Sequence, residues 1–260
     1  MMENLYKDFK QNMFAIHQLT ERDKKHENAQ TFFGELWEIF NPLIMTVVLS
    51  LVFGEVLKTD SIKNYPAFIL TGTTFFNLYS SGTTACLNSL IGNKNLLLKS
   101  KLKRDVYVVQ KIILVLRGFL LSLFIYAFVL ALYRYTPSFS WLLVILDIVL
   151  YIFMILGIGK ILSIFNVFFA DITYFYRIFV VFLFYGSALF YDVTRYPIIL
   201  QKIMIINPIY DVVYIAREAI LNNHVVSINY WCGLIVYSIG LYCIGTHIFN
   251  KYSNNIMANL

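Results

Sequence analysis

Polar side chains recur along one otherwise apolar stretch of this chain: Thr73, Asn77, Ser80, Thr84 and Asn88 sit at offsets of 4, 7, 11 and 15 residues, within one narrow face of a helix. Such hydroxyls and amides perform no covalent chemistry. They suit two roles, hydrogen-bonding the hydroxyls of a sugar chain in a passage or gluing helices together in lipid. A second cluster is Asn93 to Asp105, NKNLLLKSKLKRD, which surrounds three leucines with five cations, among them Lys99, Lys101, Lys103 and Arg104. It fits a docking loop whose charges meet anionic headgroups or a diphosphate, or simply a loop on the positive side of a membrane. The third is aromatic: nine Phe and Tyr residues lie between Tyr174 and Tyr191. Their rings can stack on sugar CH faces or serve bulk packing and lipid contact. Tyr185 and Tyr191, near one end, are the candidates for an exit lining.

Residues for bond-making chemistry are missing from the pattern. His17, His26, His224 and His247 are scattered, and no paired carboxylates occur within reach of one another. Gly157-Ile158-Gly159-Lys160 resembles a phosphate loop only superficially, because Met154 and Ile161 stand where that loop needs Gly and Ser or Thr. The two glycines instead permit close helix packing, with Lys160 snorkelling to the inner interface. No nucleotide is expected on this chain. Cys86, Cys232 and Cys243 show no metal-ligand or disulfide spacing.

The elements that must carry these residues are membrane helices. The chain is 59% hydrophobic and 14% charged with a mean hydropathy of +0.67, far from a soluble domain. A bilayer core of about 30 Å needs roughly 20 apolar helical residues. Segments 36–57, 66–91, 112–133, 141–165, 174–191 and 229–249 satisfy that, predicting an all-α protein of six transmembrane helices in one domain. Continuous apolar runs exclude a β-barrel. Residues 1–35 form an N-terminal amphipathic interfacial helix built on Leu5, Phe9, Met13 and Ile16, without a secretory signal, and 250–260 form a tail. Between spans five and six, the segment 196–222 holds an apolar run, 198–206, that is bounded by Pro197 and Pro208 and is too short to cross. It is read as re-entrant or interfacial, two short helices.

Lysine and arginine set the orientation: fourteen fall on the side of the amino terminus and six on the other, so both termini are expected in the cytoplasm. The net charge of +6 is then a topology signal that needs no nucleic acid. Arg117 and Asp147 are the charges placed inside spans. They sit at different depths, which argues against a direct bridge. Glu38 and Glu55 mark the ends of span one.

The order of motifs resembles the permease subunits of ABC-2-type ABC transporters that export polysaccharides such as O-antigen, capsule or teichoic acid. The resemblance rests on Gly34-x-x-Trp37-x-x-x-x-Pro42, on Tyr65 to Asn93, on GIGKILSIFNVFFADI from Gly157 to Ile172, and on Asn207-Pro208 followed by Arg217. It implies a homodimer bound to two copies of a separate ABC ATPase, which holds the ATP and Mg2+, and a tunnel for lipid-linked polysaccharide between protomers. It also implies coupling contacts near 15–33, 92–105 and 166–172, including Asn166 and Asp171, in a plasma membrane, preferably a Gram-negative inner membrane. Two departures stand out. Ala170-Asp171 replaces the usual Arg-Asp, and Ser187-Ala188 replaces a Ser-Pro pair, which predicts a less kinked end to span five. Two other classes remain: an ion-coupled carrier, which wants internal repeats and buried acids, and a membrane transferase acting on lipid-linked sugars.

Overall fold

The computed structural model describes residues 2–29, 32–56, 62, 64–100, 102–193, 197–204 and 206–253. Lys58, Lys63, Lys101, Arg195, Tyr196 and the tail from 254 lie outside the described residues, as do the side chains of Leu5, Phe9, Glu38 and Glu55. Every regular element among the described residues is helical. The leader is α1 (Met2–Ala29). A 3-10 turn (Gly34–Leu36) leads into α2 (Trp37–Leu49), which runs on as a π-helix (Ser50–Val56). Then come α3 (Tyr65–Leu87), the short α4 (Ser89–Gly92) and α5 (Lys94–Lys99), α6 (Asp105–Leu132), α7 (Trp141–Phe168) and α8 (Ile172–Gly186). The last three are α9 (Ile198–Met204), α10 (Pro208–Leu221) and α11 (Ile228–Tyr252).

Three helices, α6, α7 and α11, are long and apolar enough to cross a membrane. The sequence pattern starts α6 at 112, whereas the helix begins at Asp105. Its first two turns carry Asp105, Gln110 and Lys111, which lower the hydropathy without breaking the helix, and Asp105 suits the positive end of the helix dipole. Helix α8 is shorter than the apolar run 174–191, because the chain turns at Gly186. Its fifteen residues make about 22 Å of helix at 1.5 Å per residue.

The core is organised around α3, which packs against α2, α6, α7 and α10. It is less apolar than α6, α7 and α11, and three of its buried threonines are satisfied locally. Thr71, Thr73 and Thr83 return their hydroxyls to the carbonyls of Ala67, Ile69 and Tyr79 at 2.8, 3.0 and 2.6 Å. Thr71 also shares a 2.7 Å hydrogen bond with the buried Tyr126 hydroxyl on α6. Each hydroxyl is thereby satisfied without leaving the protein.

Helices α7 and α11 make the most intimate pair. A Cβ added at Gly157 would fall on the backbone of Leu241 and Tyr242, and one added at Gly245 would fall on Gly157. Two residues on, Gly159 faces Cys86 of α3, whose Sγ would lie 2.8 Å from an added Cβ. The Gly-Ile-Gly run thus lets α7 approach two helices on different sides. Gly157→Ala is expected to cost about 1–3 kcal/mol through overpacking, whereas Gly92→Ala, with open space around it, should stay within about 0.5 kcal/mol. Thermal unfolding of the two variants in detergent checks the difference.

Candidate functional site

At the end of the helical body where α1 lies, the leader is strapped to α6. Its buried face is Ile16, Leu19 and Thr20, while Met13 is exposed, contrary to the apolar spacing expected of it. The register differs because α1 aligns its charges with α6. Arg117 donates to Glu21 at 2.6 Å, Lys111 to Asp23 at 2.8 Å, and Gln110 to Asp23 at 3.1 Å. Arg22 continues the network to Asn93 at 2.7 Å, beside α5. Arg117 therefore meets the leader, not Asp147.

The same contacts tune the two acids. The hydrogen bond from Arg117, its largest influence, leaves the Glu21 carboxyl below its ordinary 4.5. Burial pushes Asp23 upward, but the hydrogen bonds from Lys111 and Arg22 together outweigh it and hold the carboxyl below its usual 3.8. Both groups stay charged throughout the physiological range.

Lys160 does not snorkel freely. Its side chain is 3% exposed, with Nζ 3.3 Å from Asp105 and 3.2 Å from Thr246, and the rings of Tyr242 and Phe249 beside it. Three helices, α6, α7 and α11, meet at this one ammonium. The loop residues near it are distributed between surface and core. Lys99, Lys103 and Asp171 are exposed, Leu97 is buried, and Leu96 and Leu98 face outward from α5. Arg104 reaches the Ser253 carbonyl at the end of α11. Asn166 is buried: its amide donates to the Leu87 carbonyl at 3.0 Å and its oxygen accepts from Thr173 at 2.8 Å. It ties the end of α3 to the start of α8 and presents nothing to a partner surface.

The polar stripe of α3 is graded. Thr73 is buried and bonded to its own helix, Asn77 and Ser80 are half-buried, and Thr84 and Asn88 are exposed. The stripe emerges toward the leader end. Helix α8 is exposed along Tyr174, Phe175, Ile178, Phe179, Phe182 and Tyr185, and Tyr176 is its buried anchor.

The far end is held by Arg217 on α10. Its guanidinium lies 3.4 Å from the centre of the Phe68 ring and donates to the carbonyls of Ala188 (2.9 Å), Phe68 (3.2 and 3.3 Å) and Leu189. Asn207 adds bonds to the Ser187 hydroxyl at 2.9 Å and the Gly186 carbonyl at 3.3 Å. These contacts overturn the expectation of a less kinked span five. Ala188 adopts φ 51°, and the chain folds sharply back so that Leu189 and Phe190 are buried. Tertiary hydrogen bonds from α10 enforce the turn without proline. Tyr185 and Tyr191 come together there, the Tyr191 hydroxyl 3.5 Å from the Tyr185 carbonyl. Asp211 was not among the residues singled out by sequence. It is buried on α10, and, like Asp147 on α7, its carboxyl oxygens have no hydrogen bond to a described residue. Its position four residues into a short helix after Asn-Pro gave no hydropathy signal.

Long apolar helices, a polar stripe that emerges at one end and an ionically strapped leader are the build of a membrane permease. The chain belongs to the ABC-2 type transporter family, whose profile matches residues 15–221. Two O-antigen export system permease proteins RfbA of Klebsiella pneumoniae are 27% and 29% identical to it over 241 residues, 90% of each chain. The RfbA protein of Myxococcus xanthus is 24% identical over 173 residues, 66% of each chain. The chain is thus the permease subunit of an ATP-driven transporter, with the ATPase in a separate subunit.

The strap makes a direct prediction. Glu21→Arg or Arg117→Glu alone should free the leader, seen as faster thiol labelling of a Leu19→Cys reporter, and the double swap should restore protection. Because both acids have lowered pKa values, the strap's contribution is fully present above the ordinary carboxylate range and is lost as pH falls through their folded values, which lie beneath the ordinary ones. Labelling that is already fast at neutral pH would contradict the pairing.

Proposed function

We propose that the chain is one half of a homodimeric permease which, with two copies of the ATPase subunit, threads a lipid-linked polysaccharide of O-antigen type from the cytoplasm to the outer face of a Gram-negative inner membrane. The observation that carries this reading is the match to O-antigen export permeases over 90% of both chains. In the proposed topology both termini are cytoplasmic. Helix α2 with its π-helical continuation, α3 and α8 supply the three remaining spans, and α9 with α10 forms a hairpin entering the outer leaflet.

The geometry supports a division of labour within this reading. Helix α8, apolar and aromatic on its exposed side, and the emerging end of the α3 stripe are the surfaces this protomer offers to a second copy or to the polymer. Thr84 and Asn88 would meet sugar hydroxyls near the cytoplasmic mouth, and Tyr185 and Tyr191 would line the exit. Rings offer a polymer broad, shallow contacts, so successive sugars can slide past without deep hydrogen-bonded wells. Helix α9, with Ile198, Ile199 and Ile203 exposed, would close the outer mouth. At the cytoplasmic face the ATPase would engage α1, the α5 segment through Lys99, Lys101, Lys103 and the exposed leucines, and Asp171. Asn166 would pass its movement from the α7–α8 turn to the end of α3.

Co-purification tests this. The tagged chain should bring down an equal amount of the ATP-binding subunit, and vesicles holding the complex should translocate O-antigen only with ATP and Mg2+. Lys99→Glu with Lys103→Glu should lower ATP-dependent translocation about tenfold, roughly 1.4 kcal/mol of coupling. Translocation driven by an ion gradient without the ATPase would overturn the proposal.

A further inference from the structure

Two buried acids take no part in the contacts that hold the protomer together. Asp147 on α7 and Asp211 on α10 are both 0% exposed, and none of their four carboxyl oxygens has a hydrogen bond to a described residue. They come from different helices to one junction. Helix α10 packs on both α7 and α11, and the two acids are within electrostatic reach of each other. A Cβ built at Gly233 of α11 would meet a single heavy atom within 4 Å, Oδ2 of Asp211 at 3.3 Å. Gly233 is half-buried, so the Asp211 carboxyl ends in the notch that this glycine leaves beside α10.

A buried carboxylate needs a cation, a set of donors or a proton. Among the described residues no basic side chain bonds to either acid. The groups around Asp211 bring no positive charge: α7 adds Asp147, a second acid, and α11 adds Tyr230. On α3, Tyr65 donates to the Phe190 carbonyl at 2.6 Å. Tyr210, Tyr214 and Glu218 of α10 and Asp192 after α8 line a cleft at the end of the protomer. Arg217, on the same helix, is committed to the carbonyls of Phe68, Ala188 and Leu189. The start of α10 supplies no donors either. An acid in a first helical turn is commonly held ionised by the free amides there, but Asn207 has that place, accepting from the Ile209 amide at 3.0 Å. A metal ion fits less well, because among the described residues no third acid, His or Cys joins the pair. The proton remains, and burial accordingly pushes the Asp211 carboxyl up from its ordinary 3.8 to about 7.

We propose that Asp211, with Asp147 beside it, is a proton-binding site that closes the junction of α7, α10 and α11. The protonated carboxyl is tolerated in the junction, whereas loss of the proton leaves a charge that draws water through the notch at Gly233 and loosens the packing. The site goes beyond the export reading and rests on packing within one protomer. Under the proposed topology it lies toward the outer side, so acid on that side would tighten the junction and alkali would relax it.

Below about 3.8 the carboxyl is protonated in the folded and the unfolded chain alike, and the contribution of the site is fully present. Between that value and about 7 only the unfolded chain ionises, so each pH unit favours unfolding about tenfold; above about 7 the loss is complete and levels off. Infrared spectra and thermal unfolding of the full chain in detergent, from about pH 5 to about pH 8, bracket this window. The carbonyl-stretch band of protonated carboxyl should lose intensity in a step near pH 7 in the wild type and show no such step in Asp211→Asn. That variant keeps the shape of the protonated side chain, so its unfolding temperature should gain on the wild type as pH rises to about 7 and then hold a constant lead. Asp147→Asn should keep the step, which assigns it to Asp211 even where Asp211→Asn does not fold. Absence of the step from the wild type overturns the site, and that reading needs no substitution. An Asp211→Asn variant whose stability follows the wild type at every pH also overturns it. So does a wild-type stability that responds to added sodium or calcium ion and not to pH, which would make the pair a cation site. None of these readouts involves transport, so failure of the site leaves the export reading untouched.

Discussion

Inside lipid and inside a protein core, a polar group must find its partner in the protein, and the rest of this architecture follows from that constraint. Helix α3 places polar side chains at the centre of the protomer. Of the threonines buried there, Thr71, Thr73 and Thr83 close onto carbonyls three or four residues back, while the stripe residues near the leader end reach the surface. The helix can therefore be central to packing at one end and polar to its surroundings at the other. Arg217 obeys the same rule with a charge: its hydrogen bonds go to carbonyls freed where α8 ends and to Phe68 on α3. One guanidinium thus satisfies backbone groups of two elements and fixes the angle between them.

Much of this was legible in the sequence. Apolar runs located the starts of α7 and α11 to within a residue, at Trp141 and after the turn at Ser227, whereas both helices run three residues beyond the apolar segments. Two short helices are expected between spans five and six, and α9 and α10 lie there; Asn207 caps α10 by accepting from the Ile209 amide at 3.0 Å, with Pro208 at the first helical position. The Gly157 and Gly159 spacing announced close helix approach, and both glycines are in contact with neighbouring helices.

What could not be read depends on contacts distant in sequence. The fold-back after Gly186 is imposed by Asn207 and Arg217, twenty to thirty residues further on. The apolar pattern runs on through Leu189 and Phe190, and burial of these two residues satisfies that pattern as well as a longer helix would. Lys160 looks like an interfacial lysine from its place in α7, and only the arrival of Asp105 and Thr246 from two other helices encloses it. Arg117 looks like a charge inside a span until α1 lies down beside it. In each case hydropathy recorded the residue's own preference and missed a partner supplied by topology.

The two ends of the protomer are held by different physics, and this bears on how force can pass through it. At the leader end the fastenings are ion pairs between partly exposed groups, Arg117 with Glu21 and Lys111 with Asp23. Pairs that water can reach are screened and exchange readily with water or a partner's charges. At the far end Arg217 is buried beneath backbone carbonyls and an aromatic ring, and breaking it would strand those groups in the core at a cost of several kcal/mol. A push delivered at the leader therefore finds weak fastenings to rearrange, whereas the far end stays intact as it is carried. Between them run α3 and α7, locked together through Gly159 against Cys86 and through Asn166 at the end of α3. Helix α8 takes its hold on the protomer from the buried Tyr176, from Val180, Leu183 and Phe184 packed against the core and from Thr173 on Asn166, so its inner face follows α3 and α7 while its aromatic outer face is exposed.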